Sequence, residues 1–381
     1  MGALVHIITS MELGGAQKIC LSTVQHFAAQ GRPTFLIYGE DGPLTPLARE
    51  YMGAKLIRVP ALQRAISIPR DIQCALQLQK IMQQLRNKHD DLVVHTHSSK
   101  AGILGRLAAG SHPGQKVCHT VHGFGFPAFT PATQWVPIQL ERMAGARTHH
   151  LLFVSEQDQQ RAEQLRLAPS AQSHILRAGV DPSAIQQPLD ETERFHHLQE
   201  MGFNPDDLLV VSVANAKPQK DPLFHVMILA ELVKMNPKFK MIFLGDGPLL
   251  SDMKQKAQSL GIEKHLFAPG FVSDVRPYLH LSQGFVLASR FEGLPCSVLE
   301  ALCVGLPTFV RDNGWARDLR QWAQRFFPLA ADASAEYFAE TIVGEIKGSG
   351  THVPNALPSE FTLAGMLHQL ETIYVSSSKP F

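Results

Sequence analysis

Short, unbroken apolar runs separated by helical patterns are the feature that most restricts how this chain folds. "LVHIITS" (4–10) precedes a Gly14-Gly15 turn and the amphipathic stretch "AQKICLSTVQHFAAQG", closed by Gly31. "TFLIYG" (34–39), a helix over 70–89, "LVVHTH" (92–97), "KVCHTVHG" (116–123) and "LLFVS" (151–155) continue the first series. A second series opens at Leu208 with "LLVVSVANA", a helix over 221–236, "FKMIFLG" (239–245), a helix over 249–260, "GFVLAS" (284–289) and "LPTFV" (306–310). A strand buried on both faces reads as a continuous apolar run, and parallel sheets covered by helices produce such strands. The polar, proline-bearing stretch 182–206 joins the two series. With 381 residues the chain exceeds one typical core, which also predicts two domains. The expected architecture is α/β: two doubly wound parallel-sheet domains facing a cleft, spanning 1–185 and 186–355, with 356–381 a helix returning to the first domain. In such folds ligands bind beyond the carboxyl ends of the strands.

Composition narrows the class. Cys20, Cys74, Cys118, Cys296 and Cys303 are odd in number and scattered without a CxxC, as expected of reduced thiols in a cytoplasm. "MGALVHIITS" lacks a charged secretory n-region, and no run of about 18 apolar residues spans a membrane. The expected location is therefore the cytoplasm. The net charge of +1 conceals an asymmetry: residues 1–185 carry 18 Lys+Arg against 12 Asp+Glu, and the rest carry 17 against 22. A basic first half suits an anionic substrate or the anionic inner face of a membrane, with peripheral attachment there. Uneven surface charge alone gives the same count. Nucleic acid is not an expected partner.

Chemistry concentrates in "SRFEGLPCSVLEAL" (289–302), where Glu292 and Glu300 stand eight apart. Eight residues of continuous helix rise about 12 Å, too far for two carboxylates flanking one bond. Pro295 is a natural first helical residue, which places Glu292 in the preceding loop. Loop and helix glutamates then reach different parts of one ligand, with an anion-favouring helix N-terminus between them. A plain amphipathic helix with solvated glutamates remains the alternative on this stretch alone. Nicotinamide cofactors are disfavoured. The first turn, "MELGGAQ", fails the G-x-G-x-x-G fingerprint, and "GFGFPA" (123–128) puts Phe-Pro where a helix should open. His95, His97, His119 and His122 fall at two strand ends, His95 and His97 on one face. No tight Cys/His or HExxH signature accompanies them, so hydrogen-bonding histidines are expected rather than a metal site.

Taken together these residues resemble the retaining glycosyltransferases of family 4, whose GT-B fold comprises two Rossmann-like domains. The resemblance runs through "GGAQ" (14–17), "HTHSSKAGILGRLAA" (95–109), "HTVHGFGF" (119–126), "VSEQD" (154–158), "PQKDP" (218–222), "FLGDGPL" (243–249), "APGFVSDV" (268–275), "SRFEGLPCSVLEALCVGLPTFV" (289–310) and "DNG" (312–314). It implies transfer of a sugar from a nucleotide-diphosphate donor, UDP among the expected carriers, to a glycan or lipid-linked glycan acceptor in envelope polysaccharide or glycolipid assembly. Retention of anomeric configuration and independence of any metal or other cofactor are part of the same implication. By resemblance, Lys220 neutralises the leaving diphosphate, assisted by Gly293, Leu294 and the N–H groups around Cys296 and Ser297. Glu292 holds sugar hydroxyls, Glu300 accepts from the ribose, and the backbone at Phe271 and Val272 meets the base. His122 lies near the transferred sugar, while Gly14 and Gly15 admit close approach of phosphates or acceptor.

One position departs from the pattern. Where the family usually reads Gly-Arg-Leu, this chain reads Ala214-Asn215-Ala216, which removes a bidentate phosphate donor. Lys217, Arg290 or Arg311 then substitutes, or donor binding is weaker. A non-catalytic nucleotide-sugar-binding protein and a GT-B sugar-nucleotide epimerase are the competing classes.

Overall fold

A computed structural model describes residues 2–12, 14–50, 53–124, 133–346, 352 and 354–375. The chain forms two compact units: Met1–Gly179 with Leu363–Phe381, and Val180–Thr362. The chain thus passes between units at 179/180 and 362/363, not at the expected 185/186 and 355/356. Local packing explains both shifts. Ile185 is buried and Gln186 Nε2 donates to the Cys303 carbonyl at 3.0 Å, binding this segment to the second unit. Phe361, fully buried, packs its ring 5.1 Å from that of Trp322 in the same unit.

The first unit holds a seven-stranded sheet of β1 (Ala3–Ser10), β2 (Thr34–Glu40), β3 (Ala54–Arg58), β4 (Leu92–His97), β5 (Gln115–Val121), β6 (His150–Phe153) and β7 (Gln172–Ile175). Their order is β3-β2-β1-β4-β5-β6-β7, every pair parallel. The second unit holds β8 (Leu208–Val213), β9 (Phe239–Leu244), β10 (Leu266–Gly270), β11 (Gly284–Leu287), β12 (Thr308–Asp312) and β13 (Phe326–Ala330). These run β10-β9-β8-β11-β12-β13, again all parallel. Both sheets reverse their winding once, between β1 and β4 and between β8 and β11, and such switch points open a crevice at the strands' carboxyl ends. Among the central strands β1, β4 and β5 are buried at every residue, the physical origin of their unbroken apolar reading.

Helix Ile68–Arg86 turns one face to the core, which claims most of its apolar residues, Ile81 partly among them. Cys74, Leu78, Met82 and Leu85 are buried. Ile72 and Leu76, however, are 58% and 62% exposed, and Ile68 at the helix start is 74% exposed. Residues 68, 72 and 76 recur every four positions and form a second, outward stripe. At the other end of the chain, helix Leu363–Val375 belongs to the first unit. Gln369 Nε2 donates to the Ile175 carbonyl at 2.7 Å, and Lys116 Nζ caps the Ile373 and Tyr374 carbonyls at 3.2 and 3.0 Å.

Candidate functional site

In the second unit the predicted Lys220 and Glu292 meet at the switch point between β8 and β11. Lys220 closes the 3-10 turn Pro218–Lys220 that follows β8, and Glu292 lies in the loop that follows β11. The Lys220 ammonium donates to the Glu292 carboxylate, with the two side chains 19% and 6% exposed. Backbone contacts clip the two loops together. Arg290 N–H donates to the Gln219 carbonyl at 2.8 Å, and Gln219 Nε2 donates to the Phe291 carbonyl at 2.9 Å. From the "DNG" element, Asn313 Nδ2 donates to the Arg290 carbonyl. Asp221, next in the chain, adopts φ 51°, a left-handed conformation that costs a non-glycine residue energy and is found where the surroundings enforce it.

Those surroundings are charged. Asp221 Oδ2 accepts from Arg290 Nε at 3.1 Å and from Arg311 Nη1 at 3.2 Å. The two arginines differ in what they have left to offer. Arg311 is 8% exposed, its guanidinium carbon 4.2 Å above the Phe224 ring and its Nε without a partner among the described residues. Arg290 is 63% exposed at the side chain and binds Asp221 through Nε alone, so its outer N–H groups face solvent. Of the two guanidiniums weighed as substitutes at Asn215, Arg311 is therefore a buried strut and Arg290 the accessible one.

Beneath the clip sits His225, fully buried. Its Nδ1 donates to the Asp221 carbonyl at 3.0 Å, while Nε2 meets the Ser212 hydroxyl at 3.1 Å and accepts from Ala288 N–H at 3.3 Å. Burial holds its pKa down to about 4, so the imidazole is neutral and pins β8, the end of β11 and the Asp221 turn together. Sequence reading missed this residue. Its signal was a histidine inside an otherwise apolar helix, Pro222–Met235.

Helix Cys296–Val304 begins one residue later than expected: Pro295 is its cap, with φ −75° and ψ 117°, rather than its first residue. Gly293 and Leu294 are buried, whereas Cys296 and Ser297 in the first turn are partly exposed, as is Glu300 one turn on. Asn215 lies in the segment 214–216, which the "GDGP" loop grips: Ala216 N–H donates to the Asp246 carbonyl at 3.0 Å and Leu249 N–H to the Ala216 carbonyl at 2.9 Å. Glycine is obligatory there. Gly245 and Gly247 have φ of 150° and 153°, and a Cβ would fall 2.0 Å from the Ala214 carbonyl oxygen and 2.6 Å from that of Ala216. Phe271 and Val272 follow the edge strand β10, Phe271 being 44% exposed.

In the first unit Gly14 and Gly15 follow β1 and open the helix Gly15–Ala29. Gly14 has an extended φ of −178°, and an added Cβ would meet only the movable end of Gln17, at 2.5 Å. No turn geometry therefore demands glycine at this position. His122 follows β5. Its Nε2 lies 3.1 Å from His97 Nδ1, and His97 Nε2 lies 2.9 Å from His6 Nδ1. His95 is bound separately, to the Tyr374 hydroxyl at 2.5 Å and the Thr120 hydroxyl at 2.7 Å, and His119 Nδ1 bonds Thr96 at 2.9 Å. Burial pushes His6, His95, His97 and His119 well below the ordinary imidazole pKa and His122 to about 4. His6, absent from the expected set, sits opposite His95 in the β1–β4 register. Gly125–Ala128 of "GFGFPA" lie outside the described residues.

Two Rossmann-like parallel sheets, the second carrying an E-x7-E element at its switch point, define a GT-B glycosyltransferase. The sequence profile described as "Glycosyltransferase Family 4" matches residues 13–184, and "Glycosyl transferases group 1" matches residues 193–342. A UDP-Gal:alpha-D-GlcNAc-diphosphoundecaprenol alpha-1,3-galactosyltransferase of Escherichia coli is 30% identical over 82% of this chain and 80% of its own length. The Anabaena protein HepE, crystallised with UDP and glucose, superposes with a TM-score of 0.79 at 17% identity, covering 99% of this chain and 100% of that one. WaaG, a glycosyltransferase involved in lipopolysaccharide biosynthesis, gives 0.70 at 16% identity over 98% and 100%. The chain belongs to the family-4 glycosyltransferases.

Proposed function

We propose that this enzyme is a retaining, metal-independent hexosyltransferase moving a sugar from a UDP-sugar to a glycan or lipid-linked glycan acceptor of the cell envelope. The clipped Lys220–Glu292 pair at the second switch point carries the reading. As the bond from the anomeric carbon to the diphosphate breaks, negative charge grows on the diphosphate and positive charge on the sugar ring. Lys220, the exposed guanidinium of Arg290 and the N-terminus of helix Cys296–Val304 supply fixed positive potential for the first. Glu292 holds sugar hydroxyls and its charge favours the second; Glu300 takes the ribose hydroxyls. These groups do the electrostatic work that a divalent cation performs elsewhere, which is the basis for metal independence. In the first unit, neutral His122 contacts the transferred sugar.

The relative named for a diphosphoundecaprenol substrate supports a lipid-linked acceptor. So does the surface of the first unit, where the Ile68, Ile72 and Leu76 stripe shares its helix with Arg70, Lys80 and Arg86. No helix among the described residues is long and apolar enough to cross a membrane, so contact with an anionic leaflet would be peripheral. Turnover of a panel of nucleotide sugars, read as free nucleotide diphosphate with the product's anomeric configuration by NMR, tests the reading. Release of free nucleotide diphosphate only when acceptor is present supports transfer. Binding without turnover would indicate a non-catalytic receptor, release without acceptor a hydrolase, and a new nucleotide sugar with no net release of nucleotide diphosphate an epimerase.

A further inference from the structure

The imidazoles of His122, His97 and His6 form one in-line chain. A conjugated five-membered ring with bonds near 1.33 Å places each nitrogen about 1.1 Å from the ring centre. Adding two such radii to the N···N distances reproduces the observed centre separations, 5.1 Å for His6–His97 and 5.4 Å for His97–His122. The ring planes meet at only 13° and 29°. Each contact is thus an in-plane N–H···N bond rather than a stack, as hydrogen-bond geometry prefers.

The end of this chain sets its direction. His6 is fully buried, and its Nε2 has no partner among the described residues. Three neutral imidazoles bring three N–H groups, and the two contacts use two of them. If protons pointed inward, from His122 Nε2 toward His97 and on to His6, the third would be a buried N–H with nothing among the described residues to receive it. Pointing outward, His6 Nδ1–H donates to His97 Nε2, and His97 Nδ1–H donates to His122 Nε2. The inner end is then a bare lone pair, the lesser penalty, since orphaned buried N–H groups are the rarer case.

We infer that His97 and His6 are positioning residues that lock His122 in its Nδ1–H tautomer, leaving it a neutral hydrogen-bond donor to a sugar oxygen. The inference rests on the reading of His122 as a contact to the transferred sugar. With Nε2 spent inside the protein, Nδ1–H is the only group His122 presents, so it donates and does not act as a base. A metal at the same place is the alternative, because ligand atoms of His6, His95 and His97 lie within 4.8 Å of one another. Yet both nitrogens of His95 and of His97 already hold hydrogen bonds, which a metal would have to break.

Imidazole nitrogen NMR of the whole 15N-histidine-labelled protein tests this. His122 should show protonated Nδ1 and accepting Nε2, and His97→Phe should return it toward the Nε2–H form that a free histidine favours in water. His97→Phe should lower kcat about tenfold, the scale of one lost hydrogen bond, with the donor KM unchanged. His97→Asn, whose amide reaches the Nδ1 position, should restore most of that loss, and in a His122→Phe background His97→Phe should cost nothing further. An Nε2–H tautomer at His122 in the wild type, or losses that simply add, would overturn the inference. So would a stoichiometric metal in the purified protein that disappears with His6→Phe. If His122→Phe keeps full turnover, the sugar-contact reading fails together with the kinetic consequence, while the tautomer spectra still decide whether the chain exists.

Discussion

Glu292→Gln separates catalysis from stability at the second switch point. A carboxylate that steadies the developing charge should be worth about 3 kcal/mol, so turnover should fall by about two orders of magnitude or more. The structure adds a stability cost that the motif alone did not suggest. Glu292 is 6% exposed at the side chain and its partner Lys220 is 19% exposed. Removing one partner of a fully buried pair costs about 3–5 kcal/mol, and an exposed pair contributes about 0–1. Lys220 retains a path to water, and glutamine still accepts one hydrogen bond. An intermediate loss of about 1–2 kcal/mol follows, which lowers the Tm of a unit the size of Val180–Thr362 by about 2–8 °C. Calorimetry with release of nucleotide diphosphate measures both. The double variant Lys220→Gln/Glu292→Gln should recover most of the Tm and none of the turnover, because it removes both charges together. Near-normal turnover in Glu292→Gln would refute the assignment. An unchanged Tm would refute the ion-pair reasoning even if turnover fell.

Arg290→Ala should raise the donor KM about tenfold or more, and Asn215→Arg in the same chain should recover most of that; an unmoved KM would mean another cation meets the diphosphate. Transfer should survive exhaustive EDTA treatment, and activity lost on chelation but restored by manganese or magnesium would sink the metal-independent scheme. Half-buried His122 and buried His225 and His150 titrate near 4, below the ordinary 6.5, so between those values the unfolded chain binds more protons than the folded one. Their contribution to stability is complete above pH 6.5 and is lost as pH falls toward 4; a Tm that stays flat from pH 7 to about 4.5 would contradict it. In liposome flotation the protein should bind anionic vesicles at low salt, release at about 0.5 M salt and ignore neutral ones, with Ile68→Glu/Ile72→Glu weakening binding. Equal binding to both vesicle types, or to neither, would favour a soluble acceptor.

The amino-acid order by itself determined the interior of both sheets. β1, β2, β4, β8, β9, β11 and β12 announce themselves because both faces are covered, and β5 and β6 are legible for the same reason. The strands it did not reveal, β3, β7, β10 and β13, are the four sheet edges. Their burial is patchy, so no continuous apolar run marks them. Residues of the E-x7-E element were legible as a contiguous motif, with the helix start displaced by one position.

Only the tertiary structure decided which distant residues meet. Lys220 and Glu292 are 72 positions apart and His6 and His97 are 91 apart. Local spacing encodes the type of an element and the face a residue occupies, but not which element lies beside it. That follows from the crossovers that set β8 beside β11 and β1 beside β4. Arg290 and Arg311 show the limit most clearly, since each stands at the end of an apolar run and the sequence offers both alike as the missing cation. The fold buries one over Phe224 and leaves the other exposed, because Arg311 lies within β12 inside the sheet while Arg290 lies in the loop that leaves β11.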